Sequence, residues 1–91
     1  MCYYIAEMYI EVNIKEDKVS VFCDNGDQTV SWLIGSAKIY YEKSTGRSLD
    51  KEDVFLENLE GEKIDNRKLI RETLKDNDIL WMVFQNELKL N

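Results

Sequence analysis

The sequence predicts an α+β domain in which a mixed sheet of four to five strands carries one main helix across one face. Three observations support this class. Apolar residues alternate with polar ones near the start of the 91-residue chain, recur at helical spacing over residues 30–41, and form an uninterrupted run at 79–84. Alternation is typical of half-buried strands, whereas a short apolar run between turn residues is typical of a central strand.

The first elements form a predicted hairpin. Residues 8–14 alternate between apolar and polar side chains, a polar turn occupies 15–18, and the alternation resumes over 19–23. Two such runs around a short polar turn favour antiparallel pairing. The acidic stretch 24–27 faintly resembles a calcium loop, but the ligand spacing of such a loop is missing, so we interpret it as a closing turn.

A helix is predicted to follow, because the next apolar residues lie on one helical face. These residues are Val30, Leu33, Ile34, Ala37 and Tyr41. Thr29 is placed to cap the first turn and Gly46 to end the last one. Gly35 lowers helix propensity, which suggests that it packs closely against the sheet.

The remaining elements complete the order β-β-α-β-β-turn-β. A third strand is predicted at 54–56, a short fourth one at Ile64, a helical turn at 69–74 with Leu69 packing inward, and a central strand at 79–84. This order predicts the β-grasp, or ubiquitin-like, roll. We expect one domain over residues 1–91, with its core at about 8–86 and frayed ends at 1–7 and 87–91.

Composition excludes several functions. Asp and Glu number 18 against 12 Lys and Arg, so the net charge of −6 argues against binding to a nucleic-acid backbone. The chain has no histidine, which removes the usual general base and the commonest metal ligand. The glycines are dispersed, so no phosphate loop is present. We therefore expect a protein that is not an enzyme and uses no cofactor and no metal.

Cysteine usage and hydropathy indicate the compartment. Cys2 and Cys23 form neither a disulfide framework nor a CxxC motif, and Cys23 is predicted to be a small core residue. The opening residues lack the pattern of a signal peptide, and no stretch approaches the length of a membrane span. The prediction is a reduced, cytoplasmic domain without membrane insertion.

The sequence resembles the N-terminal domain of the partitioning-defective-three cell-polarity scaffolds, a ubiquitin-like domain related to Phox/Bem-type and DIX oligomerisation modules. The resemblance spans about residues 8–86. The segments that carry it are Ile10–Cys23, Asp27–Val30, Leu33, Ala37, Tyr41, Lys43, Leu56-Glu57 before Gly61, Ile64-Asp65, Leu69-Ile70, Asp76–Leu80 and Val83-Phe84. These are largely core and turn positions, which specify a fold better than an activity.

The resemblance implies head-to-tail self-association within a scaffold at the cell cortex. In that family a basic edge on the first hairpin meets an acidic edge near the last turn, with an apolar residue of strand two between them. The matching positions here are Lys15 and Lys18 for the basic edge, Asp65, Asp76 and Asp78 for the acidic edge, and Ser20 for the strand-two contact.

Several residues depart from the family pattern. Glu16 and Asp17 dilute the basic hairpin, while Arg67, Lys68 and Lys75 stand where the family has acidic residues. A like charge placed in a matched patch repels its partner. The sequence thus leaves open whether homopolymerisation persists or a different partner is used.

A second hypothesis is a recognition module that binds another protein, in the manner of Ras-association or FERM first-lobe domains. The exposed hairpin edge or an apolar seam of Trp32 and Ile39 would then bind the partner. The alternative, which the spacing favours, is that these two residues cover the helix flank or the connector to β3. Trp81 could also be partly exposed, because one face of the last strand must point away from the helix. A conjugated modifier fits poorly, since the given sequence ends without Gly-Gly.

Overall fold

The computed structural model describes residues 7–85, which form a four-stranded sheet with one long helix across a face. The strands are β1 (Tyr9–Ile14), β2 (Asp17–Phe22), β3 (Val54–Glu57) and β4 (Ile79–Phe84), and the helices are α1 (Val30–Thr45) and α2 (Ile70–Thr73). The predicted mixed sheet and its main helix are confirmed, with four strands. Apart from Glu7, the predicted frayed ends lie outside the described residues, and so does Cys2.

The sheet has the strand order β2-β1-β4-β3. β1 pairs antiparallel with β2 and parallel with β4, while β3 pairs antiparallel with β4. The apolar run of β4 therefore occupies the interior of the sheet, as its continuous hydrophobicity predicts.

The hairpin turn is shorter than the sequence predicts. Ile14 pairs with Asp17, so only two residues, Lys15 and Glu16, connect the strands. Lys15 has φ 57°, a left-handed conformation that allows this tight reversal. The backbone pairing also continues past β2, since the Cys23 N–H donates to the Met8 carbonyl at 2.8 Å.

Helix α1 begins and ends where its caps predict. The Thr29 hydroxyl accepts a hydrogen bond from the Trp32 N–H at 3.2 Å, and Gly46 adopts φ 77° while its N–H donates to Glu42 O at 2.7 Å. The prediction for Gly35 is wrong. This residue is exposed, and a Cβ atom built on it would meet no other atom within 4 Å, because α1 packs on the sheet through its opposite face.

The predicted fourth strand at Ile64 is reduced to an isolated bridge between Glu57 and Lys63. The Ile64 N–H donates to the Leu56 carbonyl at 2.9 Å, so this segment lies along the outer edge of β3 without forming a strand. In the helical turn that follows, Ile70 is fully buried and Leu69 is half-buried, so Ile70 makes the inward contact predicted for Leu69.

The core lies between α1 and the inner face of the sheet. Inward-facing residues of all four strands are buried, among them Ile10, Val21, Leu56 and Leu80. Cys23 is also fully buried, which confirms its predicted core position. Within residues 7–85 no helix has the length and apolar character needed to span a membrane.

Candidate functional site

The predicted basic edge lies at the hairpin turn. Lys18 is exposed on the outer face of the sheet, opposite Asn13, and the Lys15 ammonium nitrogen lies 4.8 Å from the centroid of the Phe84 ring. Exposed Glu16 and Asp17 separate the two lysines. The turn thus carries two cations and two anions, so its net charge is zero. Positive charge is present only at the two ammonium groups.

The predicted acidic edge is partly assembled in the turn before β4. Asp76 Oδ1 accepts the Tyr9 N–H at 2.8 Å, and Asp78 Oδ2 accepts the Lys75 N–H at 2.8 Å. The Glu11 N–H also donates to the Asp78 carbonyl at 3.0 Å. The Asp76 carboxylate therefore ties this turn to β1, and the Asp78 carboxylate closes the turn itself on Lys75. Both carboxylates are held in place by these hydrogen bonds.

The parallel pairing of β1 with β4 places the two edges far apart. Both strands begin at the acidic turn, whereas β1 ends at the hairpin that carries Lys15 and Lys18. Six residues of strand span about 20 Å at a rise of about 3.3 Å per residue. The basic hairpin and the acidic turn are consequently at opposite ends of the domain.

Asp65 lies in a different turn from Asp76 and Asp78. Its Oδ1 accepts the Arg67 N–H at 2.9 Å and the Arg67 Nε–H at 3.4 Å. These hydrogen bonds, led by the backbone one, hold the pKa of Asp65 below its ordinary value. With Arg67 and Lys68 exposed beside it, the Asp65 turn is not an acidic patch.

Ser20 is exposed on the outer face of β2, opposite Glu11. Its neighbours on the same strand face are Lys18 and Phe22, because alternate residues of a strand share a face. Phe22 is 41% exposed, so the apolar side chain of this strand is two residues beyond the position that the resemblance indicates.

The possible seam on α1 is exposed. Trp32 and Ile39 have 40% and 49% of their surface accessible, and both lie on the side of α1 turned away from the sheet. Exposed Gly35 lies between them at helical spacing. The seam thus presents apolar surface to solvent on the side of α1 opposite its buried residues.

The outer face of the sheet carries a second apolar surface, of which the sequence predicts only Trp81. Trp81 is half-buried and Ile79 is 46% exposed. Together with Leu59, which is 79% exposed, they line a shallow groove of about 390 Å³. On β1 and β2 the Tyr9 and Phe22 rings lie 5.1 Å apart. The aromatic residues at outward positions of the hairpin were the sequence signal that could have predicted this apolar surface.

Among the described titratable groups, the pKa shifts that stand out are those of Asp65 and Cys23. Burial raises the pKa of the Cys23 thiol to about 11, so the thiol is protonated at neutral pH. Between residues 7 and 85, no group of three or more cysteine and acidic side chains is placed to hold a metal ion.

No protein-family model matches the sequence, and no curated protein matches it. Solved structures are similar in fold. A ubiquitin-like domain of EccD5 from Mycobacterium xenopi superposes with a TM-score of 0.67 at 16% identity, covering 86% of this chain and 93% of that one. A structure described as molecular mimicry of SUMO that promotes DNA repair gives 0.64 at 22% identity, covering 89% and 95%.

A ubiquitin-like domain of an Arabidopsis thaliana protein also superposes, with a TM-score of 0.61 at 13% identity over 89% of this chain and 80% of that one. The arrangement of a mixed sheet around one main helix agrees with these neighbours. The chain has the ubiquitin-like, or β-grasp, fold.

Proposed function

We propose that this chain is a non-enzymatic protein-interaction domain that associates with itself head to tail. The hairpin with Lys15 and Lys18 of one copy would contact the turn with Asp76 and Asp78 of the next. The observation that supports this proposal is the position of the two turns at opposite ends of β1. A contact between unlike ends leaves one unused end of each kind, so it propagates into chains of copies.

The resemblance to partitioning-defective-three N-terminal domains supports a cytoplasmic scaffold of cell polarity as the setting. Head-to-tail chains would there concentrate the rest of a scaffold at the cell cortex. The proposed contact uses the Asp76 and Asp78 turn and leaves Asp65 aside, since its carboxylate pairs with Arg67. Glu16, Asp17 and Lys75 reduce the charge complementarity, so we expect weak association.

Mass measurement over concentration and salt tests this proposal. We expect oligomers larger than a dimer to increase with protein concentration and to decrease with added salt, because exposed charges are screened beyond about 8 Å at physiological ionic strength. Lys75→Asp should strengthen the association and Lys18→Glu should weaken it. Lys51→Glu makes the same charge change on an exposed residue of the α1–β3 connector and serves as the matched control.

A strict monomer at millimolar protein and low salt contradicts head-to-tail association. Equal weakening by Lys51→Glu and Lys18→Glu also contradicts it, since the effect would then follow net charge instead of the hairpin. The two results separate a general charge effect from a contact at one end of β1.

A second function, recognition of a different protein, is favoured by the groove between Leu59, Ile79 and Trp81. This groove joins exposed apolar side chains to the polar rim of Asn58 and Glu60, an arrangement typical of partner sites. Leu59→Ala should lower the affinity for such a partner and leave self-association unchanged. An unchanged affinity for an identified partner excludes this surface.

A further inference from the structure

The outer edge of β2 is open within the described residues. The sheet order places β2 at one side, and no described strand or bridge pairs with its far side. Three of its residues, Lys18, Ser20 and Phe22, have exposed side chains on the outer face of the sheet. An open edge strand is a template for pairing with another strand.

The ladder with β1 determines which backbone groups of β2 point outward. Hydrogen-bonded and non-hydrogen-bonded pairs alternate along an antiparallel ladder. The Cys23 N–H donates to Met8 O. Every second pair, counted from this one to the pair of Ile14 with Asp17, is therefore hydrogen-bonded. The N–H and C=O groups of Lys18, Ser20 and Phe22 consequently point away from β1.

This pattern selects one antiparallel register for a second copy of the same strand. A hydrogen-bonded pair across the new ladder needs an outward residue on each side. All three outward residues are paired when Ser20 faces Ser20 of the other copy and Lys18 faces its Phe22. Shifting the register by two residues in either direction leaves at least one outward residue of each copy without such a partner.

The side chains agree with that register. On the outer face Lys18 of each copy would lie beside Phe22 of the other, a cation next to an aromatic ring that already packs on Tyr9 at 5.1 Å. At the twofold axis two serines face each other, and their small hydroxyl groups cause no crowding. Strand β2 is thus complementary to an antiparallel copy of itself.

We propose that β2 is a homodimerisation edge, through which two copies form one continuous eight-stranded sheet about a twofold axis at Ser20. The contact is a self-complementary one, so it closes at the dimer and does not propagate. This contact differs from the head-to-tail one. The head-to-tail contact joins the hairpin end of one copy to the acidic turn of the next, whereas the edge contact joins the same side of the sheet in both copies.

The two contacts respond to salt in opposite directions. Each copy carries a net charge of −6, and the extended register brings Glu16 toward Asp24 of the second copy. Salt screens this repulsion, so the edge dimer should tighten as salt rises, whereas the head-to-tail contact should weaken. Salt dependence therefore separates the two proposals.

Sedimentation of the full chain at several concentrations, at about 0.05 M and about 0.5 M salt, is the first test. We expect a dimer whose share of the protein rises with salt, while any larger head-to-tail oligomers decrease. Ser20→Pro removes one outward N–H and leaves the β1 ladder intact, so it should weaken the dimer about tenfold or more. Ser20→Ala keeps the N–H and is the matched control.

A crosslinking test remains informative even where Ser20→Pro disturbs folding. Facing residues of a hydrogen-bonded pair have Cα atoms about 5.5 Å apart, which suits a disulfide. In a Cys2→Ser background, Ser20→Cys should form covalent dimers with oxidised glutathione as oxidant. Ser31→Cys, exposed on α1, is the control and should form few.

Three results overturn the edge dimer. They are a monomer at millimolar protein and high salt, equal association of Ser20→Pro and Ser20→Ala, and crosslinking of Ser20→Cys no faster than that of Ser31→Cys. None of these results bears on Lys75→Asp, which lies in the turn before β4 and tests the head-to-tail contact alone. Failure of either proposal is therefore recognised independently.

Discussion

The two outer strands of the sheet have different surroundings. Along β3 the segment 58–64 returns and pairs with the strand, through the bridge between Glu57 and Lys63 and the hydrogen bond from Ile64 to Leu56. Within residues 7–85 no segment pairs with the outer side of β2, and exposed side chains line this strand. One edge therefore contributes to the stability of the domain, while the other is available for association.

The chain connections explain this difference. After β3 a tight turn at Gly61, with φ 80°, reverses the chain so that it runs back beside the strand. After β2 the chain enters the 24–27 turn, where Gly26 lies so close to Met8 and Arg71 that a Cβ atom would approach the Met8 sulfur to 2.7 Å. It then continues directly into α1 and does not return along β2.

The largest expected effect is at the covered edge. Ile64→Ala removes a buried side chain from the segment beside β3, so the free energy of unfolding should fall by about 2–5 kcal/mol. Ser20→Ala on the open edge should change it by less than about 0.5 kcal/mol. Urea unfolding measures both, and similar losses at the two positions would contradict the contrast between the edges.

A smaller loss is expected at the turn that starts the covering segment. The side-chain oxygen of Asn58 accepts the N–H groups of Glu60 and Glu62 at 3.0 and 2.9 Å. Asn58→Ala should therefore lower the free energy of unfolding by about 1–3 kcal/mol, at about 0.5–1.5 kcal/mol for each of the two hydrogen bonds. Asn66→Ala, an exposed asparagine in the next turn, is the control and should cost less.

Cys23 gives a pH-dependent test at the end of β2. Its thiol stays protonated in the folded domain up to a pKa of about 11, against an ordinary value of 9.0, because it is buried. The unfolded chain therefore releases this proton first, and the stabilising contribution is present below about pH 9 and is lost as the pH rises toward 11. The free energy of unfolding should fall more steeply over that pH range in the wild type than in Cys23→Ala. Parallel curves of this free energy against pH would contradict the contribution of the buried thiol.

Asp65, next to the covering segment, should show the smallest effect. Its pKa should lie below the ordinary 3.8 in an NMR titration and should return to it when the domain is unfolded. Its stabilising contribution is present above that value and is lost as the pH falls through the folded pKa. Because the Arg67 backbone N–H is the main cause, Arg67→Ala should remove only part of the shift. Complete removal would contradict the backbone origin.

Local patterns were sufficient for most elements of the fold. The period of the apolar residues identified the hairpin, α1 and β4, and Thr29 and Gly46 marked the ends of α1. The segment around Ile64 could not be assigned correctly, because a bridge and a short strand have the same apolar signature. The prediction for Gly35 used its helix propensity alone, whereas its position off the apolar stripe of α1 places it on the side away from the sheet.

The surfaces depend on pairings between distant parts of the chain. The spacing of Lys15, Lys18, Asp76 and Asp78 along the sequence does not tell that they lie at opposite ends of β1, because this follows from the parallel register of β1 with β4. Likewise, Leu59 joins Ile79 and Trp81 only through the pairing of β3 with β4. Candidate surface residues could therefore be predicted from the sequence, but their spatial neighbours follow from the strand register.

The parallel pairing of β1 with β4 also bears on how the chain folds during synthesis. These two strands form the middle of the sheet, yet residues that they bring into contact, such as Asn13 and Leu80, are 67 residues apart in sequence. A nascent chain that has emerged only as far as α2 lacks β4, the strand that joins the β1–β2 hairpin to β3. Completion of the core must wait until Phe84 has left the ribosome, and the long loop to be closed slows that step.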